Sequence, residues 1–406
     1  MTDGHLKPAF LFLASAAFIS GANLRMFDAL LPTLAEDFGV APTVASIVVT
    51  AFTFSYGVFQ LVHGPLGDRV GRLRTVAAAM LIACLGSLGS ALAPTLTWLT
   101  VLRFIAGIGA AGIIPVSIAW IGDHTSYENR QSTLARFIAF SVTGQILGPA
   151  LGGALAQWLS WREVFYLLTG AFLVVAIALF RLDGRERAER ERSGTAATAH
   201  TAENLLRTYQ EILRVPWVRT VLLTVFLEGA LFYGSFAYTG AWLKETFDLS
   251  YLMIGVMLAG FGIGGLLYTF LVRKLMRRLD EVGFALGAAL VLLAFYVCLP
   301  FSHFWQLTGP LCAVGGFGFY MLHNTLQTKA TEMYPRARGT AISAFALMLF
   351  CGQALGVAVF GRVISAFGYA PSFVFTGIAL LLLAWFFATQ LRVHNSPRRE
   401  ALPPTL

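Results

Sequence analysis

Long apolar runs separated by short polar loops dominate the chain. A transmembrane helix needs about twenty predominantly apolar residues, and twelve runs approach or exceed that length. The first six lie near 9–31, 44–63, 75–93, 98–122, 134–157 and 161–181. The other six lie near 218–243, 251–272, 283–302, 304–328, 340–363 and 370–391. The pattern predicts an all-α membrane protein with twelve transmembrane helices.

Composition and charge support this prediction. Hydrophobic residues make up 57% of the chain and charged residues only 12%, against roughly 25% charged residues in soluble proteins. The net charge of +8 comes mainly from arginines and lysines in alternate loops, as expected for cytoplasmic loops rather than for a nucleic-acid surface. We therefore expect lipid as the surroundings, no nucleic-acid partner, and a multi-pass protein of the cell (inner) membrane with both termini cytoplasmic.

An internal repeat divides the chain into halves. The stretch GQILG from Gly144 recurs as GQALG from Gly352, 208 positions later. A segment rich in Arg and Glu separates the two sets of six spans and resembles a cytoplasmic linker. The predicted parts are a first bundle, a linker, a second bundle and a tail: 1–181, 182–217, 218–391 and 392–406. Two pseudo-symmetric six-helix bundles follow from the repeat.

The loop between the second and third spans has a specific pattern, GPLGDRVGRLR. Its glycines permit a tight turn, and Asp68 and Arg72 stand four residues apart, so they can pair if the backbone is helical. Many cytoplasmic loops are basic and glycine-rich, but the full spacing G-x-L-x-D-R-x-G-R is much more specific.

This loop resembles the signature of the major facilitator superfamily. The resemblance implies a twelve-helix transporter that works by alternating access. It also implies that the loop forms a gate latch with an acid at the cytoplasmic end of the fourth span. The latch residues would be Gly64, Asp68, Arg69, Gly71, Arg72 and Asp123.

The fourth span contains RFIAGIGAAG from Arg103. Its glycines match G-x-G-x-x-G, but no strand precedes them and they lie in an apolar helix, so we interpret them as a packing surface. A charge such as Arg103 within a span costs about 2.5–3.5 kcal/mol and suggests a function. The alternative is that Arg103 reaches an interface. The resemblance associates an arginine here with proton coupling.

The fifth span contains GQILGPALGG. Three of its glycines recur every fourth residue and predict a smooth stripe against a neighbouring helix, while Pro149 should loosen the helix. The string resembles the antiporter motif of drug:proton exporters within the superfamily, in which it tightens the interface with the second half. The residues concerned are Gly144, Gly148, Pro149, Gly152 and Gly153.

Two acids lie within apolar runs. Asp28 in the first span stands one turn after Arg25 and four residues before Pro32, a spacing that resembles the first span of multidrug/proton antiporters. The alternative is that Asp28, near the outer end of its span, is hydrated. Glu228 in the seventh span is the second acid, and an intramembrane acid is a functional hypothesis by default.

Glu228 precedes a group of aromatic residues, and a carboxylate beside aromatic rings suits an organic cation. The predicted substrate cavity comprises Arg25, Glu228, Phe232, Tyr233 and Phe236. The alternative is that Glu228 is a satisfied polar group between helices. His323, Asn324 and other polar residues within spans are interpreted as packing or solvated residues.

Together these features predict a secondary active transporter that exports a small organic compound or drug in exchange for protons. Asp28, Arg103 and Glu228 would carry the coupling. An uptake symporter or uniporter of the same fold is the alternative, and a non-transporting sensor a remote one. We expect no enzyme activity, because no nucleophile–base pair or HExxH motif appears. No metal or cofactor is expected, the proton gradient is the energy source, and the chain is expected to act as a monomer.

Overall fold

Helices form all the regular structure in the part of the chain that the computed structural model describes, residues 3–193, 205–335 and 338–400. The first seven are α1 (Asp3–Asp37), α2 (Pro42–Ala45), α3 (Ile47–Val70), α4 (Arg72–Ala91), α5 (Leu96–His124), α6 (Tyr127–Trp158) and α7 (Trp161–Ser193). The next five are α8 (Leu205–Arg214), α9 (Pro216–Phe236), α10 (Thr239–Phe247), α11 (Tyr251–Met276) and α12 (Glu281–Cys298). A 3₁₀ turn (Trp305–Leu307) precedes α13 (Thr308–Glu332), α14 (Arg338–Phe367) and α15 (Tyr369–Glu400).

Eleven candidate spans among the described residues are long and apolar enough to cross a membrane. A twelfth helix, α13, has 25 residues and therefore also reaches across about 30 Å of hydrocarbon. Its second half is more polar and includes His323, Asn324 and Lys329. The predicted all-helical membrane fold is confirmed, since helices satisfy every backbone group internally, as lipid requires.

The predicted span 218–243 is broken in the structure. α9 ends at Phe236 and α10 begins at Thr239, although the sequence stays apolar through the break. Tyr238 lies in the break, fully buried, and its hydroxyl donates to the Val357 carbonyl at 2.6 Å. Hydropathy alone does not reveal such a tertiary contact.

The described chain divides into two compact units. Unit 1 comprises Met1–Glu203 with Gly240–Val256, and unit 2 comprises Asn204–Thr239 with Met257–Leu406. In the predicted linker 182–217, α7 continues to Ser193 and α8 covers Leu205–Arg214, while the predicted linker positions 194–204 lie outside the described residues.

Glycines set the contact between α6 and α1 in unit 1. A β-carbon at Gly144 would overlap the carbonyl oxygen of Phe18, and one at Gly148 would lie 2.8 Å from the carbonyl oxygen of Ala22. The two backbones therefore approach more closely than any side chain would permit. Such contact lets dispersion forces and weak Cα–H···O interactions hold helices together in lipid.

Unit 2 repeats this contact at corresponding positions. A β-carbon at Gly352 on α14 would overlap the carbonyl oxygen of Phe226 on α9, and one at Gly356 would overlap that of Ala230. Each of these four residues lies 208 positions after its counterpart in unit 1. The internal repeat is thus a repeat of packing as well as of sequence.

Replacing Gly144 or Gly352 with Ala should destabilise the protein by about 1–3 kcal/mol. Each added methyl group would clash with a backbone carbonyl oxygen, which cannot move away by changing a side-chain rotamer. Thermal unfolding in detergent would measure this. Gly170→Ala is the matched control, since a β-carbon there meets no atom within 4 Å. Equal midpoints for all three variants would contradict the backbone-contact interpretation.

Candidate functional site

Asp28 lies within α1 and is almost completely buried, with 2% of its surface exposed. Arg25, one helical turn earlier, is also buried, and its Nη1 lies 3.8 Å from Asp28 Oδ2. Among the described residues, that carboxylate oxygen has no hydrogen-bond partner. Asp28 is therefore enclosed by protein rather than exposed at the end of its span. The structure places it in a protein interior beside one positive charge.

Arg103 lies on α5 and is 1% exposed, so the alternative that it reaches an interface is wrong. Its guanidinium is held between two rings, with centroids 4.1 Å away for Phe27 and 4.0 Å away for Phe52. Nη1 donates to Asn23 Oδ1 at 3.0 Å. A planar, weakly hydrated guanidinium suits such stacking.

Several buried polar atoms on α1, α3 and α5 lack hydrogen-bond partners in the described part of the chain. They include Arg103 Nε, Asn23 Nδ2 and Thr53 Oγ1, together with Asp28 Oδ2. Asn23, Phe27 and Asp28 belong to one stretch of α1. Since buried polar atoms are normally hydrogen-bonded, each exception calls for an explanation, such as a bound water, a proton or a substrate.

The glycines of α5 pack this arginine's helix against its neighbours. A β-carbon at Gly107 would overlap the carbonyl oxygen of Phe52 on α3, and one at Gly109 would lie against the backbone of Ala83 on α4. The interpretation of the G-x-G-x-x-G string as a packing surface is confirmed. The same contacts bring Phe52 beside Arg103.

The glycine stripe of α6 faces the functional stretch of α1. Besides the contacts of Gly144 and Gly148, a β-carbon at Gly152 would lie 2.6 Å from the Met26 carbonyl oxygen. Met26 lies between Arg25 and Asp28, so the stripe positions the backbone that carries the buried acid.

Two further residues of the motif face the start of α11, which clusters with unit 1. A β-carbon at Gly153 would overlap the Tyr251 carbonyl oxygen, and one at Gly255 would overlap the Pro149 carbonyl oxygen. α6 continues through Pro149 to Trp158. Three glycines of the motif therefore pack against α1, whereas Gly153 and Pro149 pack against α11.

The loop between the second and third spans is shorter than the sequence suggests, because α3 extends to Val70 and includes Gly64, Asp68 and Arg69. Only Gly71 separates α3 from α4, at φ 106°. That backbone conformation is readily adopted by glycine and strained for other residues.

Arg72, the first residue of α4, connects this turn to the end of α5. Its Nη1 donates to the Ala119 carbonyl and lies 2.5 Å from Asp123 Oδ2. The Asp68 side chain lies outside the described part of the structure, so its role in the latch stays a prediction. Arg69 is exposed.

Glu228 on α9 is fully buried in unit 2. Its Oε2 lies 2.9 Å from Nδ1 of His323 on α13, while Oε1 has no hydrogen-bond partner among the described residues. The sequence interpretation of His323 as a packing or solvated residue missed this pair. The only available indication was that a buried acid requires a partner, which does not say where in the chain the partner lies.

The three aromatic residues after Glu228 are buried in the interior of unit 2. Phe232 stacks with Phe236 at 5.6 Å between ring centroids and packs on Phe319 at 4.6 Å, and Tyr233 packs edge-on to Phe319 at 4.9 Å. Their assignment to a substrate cavity stays a prediction.

Comparison with known proteins agrees with this architecture. A family model described as Major Facilitator Superfamily matches residues 13–350. The chain belongs to the major facilitator superfamily. The resemblance inferred from the loop between spans two and three is thereby confirmed.

Relatives within the superfamily are distant in sequence. The Bacillus subtilis protein named "Uncharacterized MFS-type transporter YceJ" is 24% identical over 354 residues, covering 86% of this chain and 87% of the relative. "Putative multidrug resistance protein MdtD" of Salmonella dublin is 31% identical over 176 residues, covering 42% of this chain and 36% of the relative.

Solved major facilitator structures share the fold. A bacterial homologue of the human lysosomal transporter Spinster superposes with a TM-score of 0.77 at 16% identity over the whole of both chains. A D-xylose–proton symporter superposes with a TM-score of 0.71 at 17% identity, over 94% of this chain and 97% of the other. The predicted fold of two six-helix bundles is confirmed, and the family match identifies the protein as a transporter of the major facilitator superfamily.

Arg103 is a buried charge held by two aromatic rings and one hydrogen bond, so its net contribution to stability should be small. Arg103→Met should change the free energy of unfolding by less than about 2 kcal/mol, because removal of a buried charge offsets loss of the Asn23 hydrogen bond. Phe27→Ala should cost about 3–5 kcal/mol, since it opens a cavity in the same place. Thermal unfolding in detergent distinguishes the two, and a larger loss for Arg103→Met would indicate a structural role.

Proposed function

We propose that this transporter exports a small organic compound in exchange for protons, with Asp28 as the coupling acid. The observation that carries the proposal is the burial of the Asp28 carboxyl beside Arg25, with one oxygen unpartnered. The proton gradient is the energy source, and Arg103 and Glu228 assist the coupling.

A buried carboxyl is stable as a neutral acid, or as an anion if a positive charge lies close by. Arg25 lies close enough to favour the anion without forming a short ion pair, since the nearest atoms are 3.8 Å apart. Both protonation states are therefore accessible to Asp28. A group that exchanges a proton within a span is what coupling requires.

Arg103 provides a second positive charge next to the same stretch of α1. Its guanidinium is oriented by Phe27 and Phe52 and by Asn23, not by a carboxylate. That charge is available to a proton-dependent change in Asp28 or to an anionic part of a substrate. The glycine stripe of α6 keeps the backbone of α1 in place beside it.

The proposed cycle is rocking of the halves 1–181 and 218–391 about a central binding site, joined by the linker 182–217. The gate loop, Arg72 with Asp123, lies on the cytoplasmic side, and both termini are cytoplasmic in the cell inner membrane. The resemblance of α6 to the antiporter motif and the partial similarity to MdtD support export over uptake. The chain acts as a monomer in this proposal.

Proteoliposomes test the proposal. Transport of ethidium, a cation, and chloramphenicol, a neutral compound, would be measured with a pH gradient imposed in either direction. We expect substrate-dependent proton movement in the opposite direction, and at least a ten-fold loss of it in Asp28→Asn, equivalent to a barrier change of about 1.4 kcal/mol.

Asp37→Asn is the matched control on the same helix. Asp37 is half-exposed and accepts hydrogen bonds from Trp161 and Arg162, so its substitution should leave coupled transport intact. Proton and substrate moving together would support an uptake symporter instead. Transport that ignores the gradient and survives Asp28→Asn would support a uniporter and overturn the antiport proposal.

A further inference from the structure

The Glu228–His323 pair differs from the other charged pairs in the described part of the chain. Its carboxyl has no exposed surface, whereas the His323 side chain is 12% exposed. The imidazole is therefore the member of the pair that can reach water or a cavity. Glu228 Oε1, which has no hydrogen-bond partner in the described residues, leaves the carboxyl room to carry a proton.

The imidazole is held in a defined orientation. His323 stacks on Phe319, one turn earlier on α13, with 5.1 Å between ring centroids and 12° between planes. The ring of Phe345 on α14 also packs against the imidazole, with 5.5 Å between ring centroids. These two rings keep Nδ1 directed at the Glu228 carboxyl, at 2.9 Å.

Among the described residues, His323 is the ionisable side chain that forms a hydrogen bond or ion pair with Glu228. Lys329, two turns beyond His323 on α13, is engaged elsewhere, because its Nζ lies 2.6 Å from Glu281 and 3.4 Å from Glu332. Phe261 of α11 and Tyr296 of α12 contact Phe232, one turn beyond Glu228. The ionisable side chain that α15 brings to α9 is His394, which stacks on Trp217, eleven residues from Glu228 in the chain. His323 is therefore the ionisable side chain that contacts Glu228 among the described residues.

We propose that His323 is the proton-exchange partner of Glu228, so that unit 2 has its own proton site in addition to Asp28 in unit 1. The site rests on the proposed function for its role in transport, but its proton chemistry can be measured without a substrate. It gives His323 a role as the positioning and relay residue of the pair.

The exchange step involves only N–H and O–H bonds. An imidazolium formed at the exposed side of His323 donates its Nδ1 proton to Glu228 Oε2. This leaves a neutral imidazole with its remaining proton on Nε2, and a protonated carboxyl. In the reverse direction the carboxyl returns its proton to Nδ1, and the imidazolium releases its Nε2 proton to water.

Infrared difference spectroscopy on the purified full-length protein tests this inference. A pH jump should produce the carbonyl band of a protonated carboxylic acid, and Glu228→Gln should remove it. In His323→Gln, whose amide can still donate to the carboxyl but cannot relay a proton, the band should form at least about ten-fold more slowly. Thermal unfolding of each variant checks that the fold is retained.

His63→Gln is the matched control, because His63 is a buried histidine of unit 1 that bonds the Phe59 carbonyl and no carboxylate. It should leave the Glu228 band and its rate unchanged. The exchanged pair, Glu228→His with His323→Glu, should restore fast exchange if His323→Gln disturbs only the relay.

Two results would overturn the inference: no Glu228-dependent band over the accessible pH range, or a band that forms equally fast in His323→Gln. Neither result depends on ethidium or chloramphenicol transport. Proton exchange at Glu228 without coupled flux in proteoliposomes would retain the pair and reject the antiport proposal. Coupled flux with normal exchange in His323→Gln would do the opposite.

Discussion

Helices in a membrane gain no hydrophobic free energy from meeting one another, because lipid is as apolar as the side chains it replaces. In this transporter close backbone approach takes the place of that driving force. The glycines of α6 rest on the carbonyl groups of α1, and those of α14 rest on α9 in the same register. Both helices that receive this contact carry a buried acid. The glycine contacts and the two buried acids thus lie on the same two helices.

The two units share this packing but not their charges. The positions 208 residues after Arg25, Asp28 and Arg103 are Tyr233, Phe236 and Leu311. Conversely, the positions 208 residues before Glu228 and His323 are Ser20 and Pro115. These ionisable residues of each unit therefore correspond to neutral residues in the other. Each unit therefore isolates its ionisable groups by its own means, stacked rings around Arg103 in one and a histidine partner for Glu228 in the other.

Much of the fold could be predicted from the sequence because its determinants are local. Apolar run length predicts the helices, and glycines at every fourth residue predict the stripe of α6. Long-range contacts could not be predicted. Glu228 and His323 are 95 residues apart, and nothing in either span indicates that α9 and α13 meet at that height. The break before Tyr238 likewise depends on a hydrogen bond to Val357, 119 residues away.

Burial was the other property that the sequence left open. A residue's place along a span says how far it lies from the interface, but not which neighbouring side chains enclose it. Asp28 and Arg103 both had a plausible hydrated position, and the structure encloses both. The rings of Phe27 and Phe52 enclose Arg103. From the sequence alone, both residues would be assigned to ordinary core packing.

The repeated glycine contacts also bear on how the two halves diverged. After a duplication, a glycine stripe that meets mainly backbone carbonyl groups constrains few side chains of the helix it supports, provided that the glycines themselves persist. Selection could then replace the ionisable residues of α1 and α9 independently, without disturbing the packing of these helices. The same property makes α1 and α9 suitable hosts for transplanted charges, so that altered ion preferences could be introduced into one half while the other is kept.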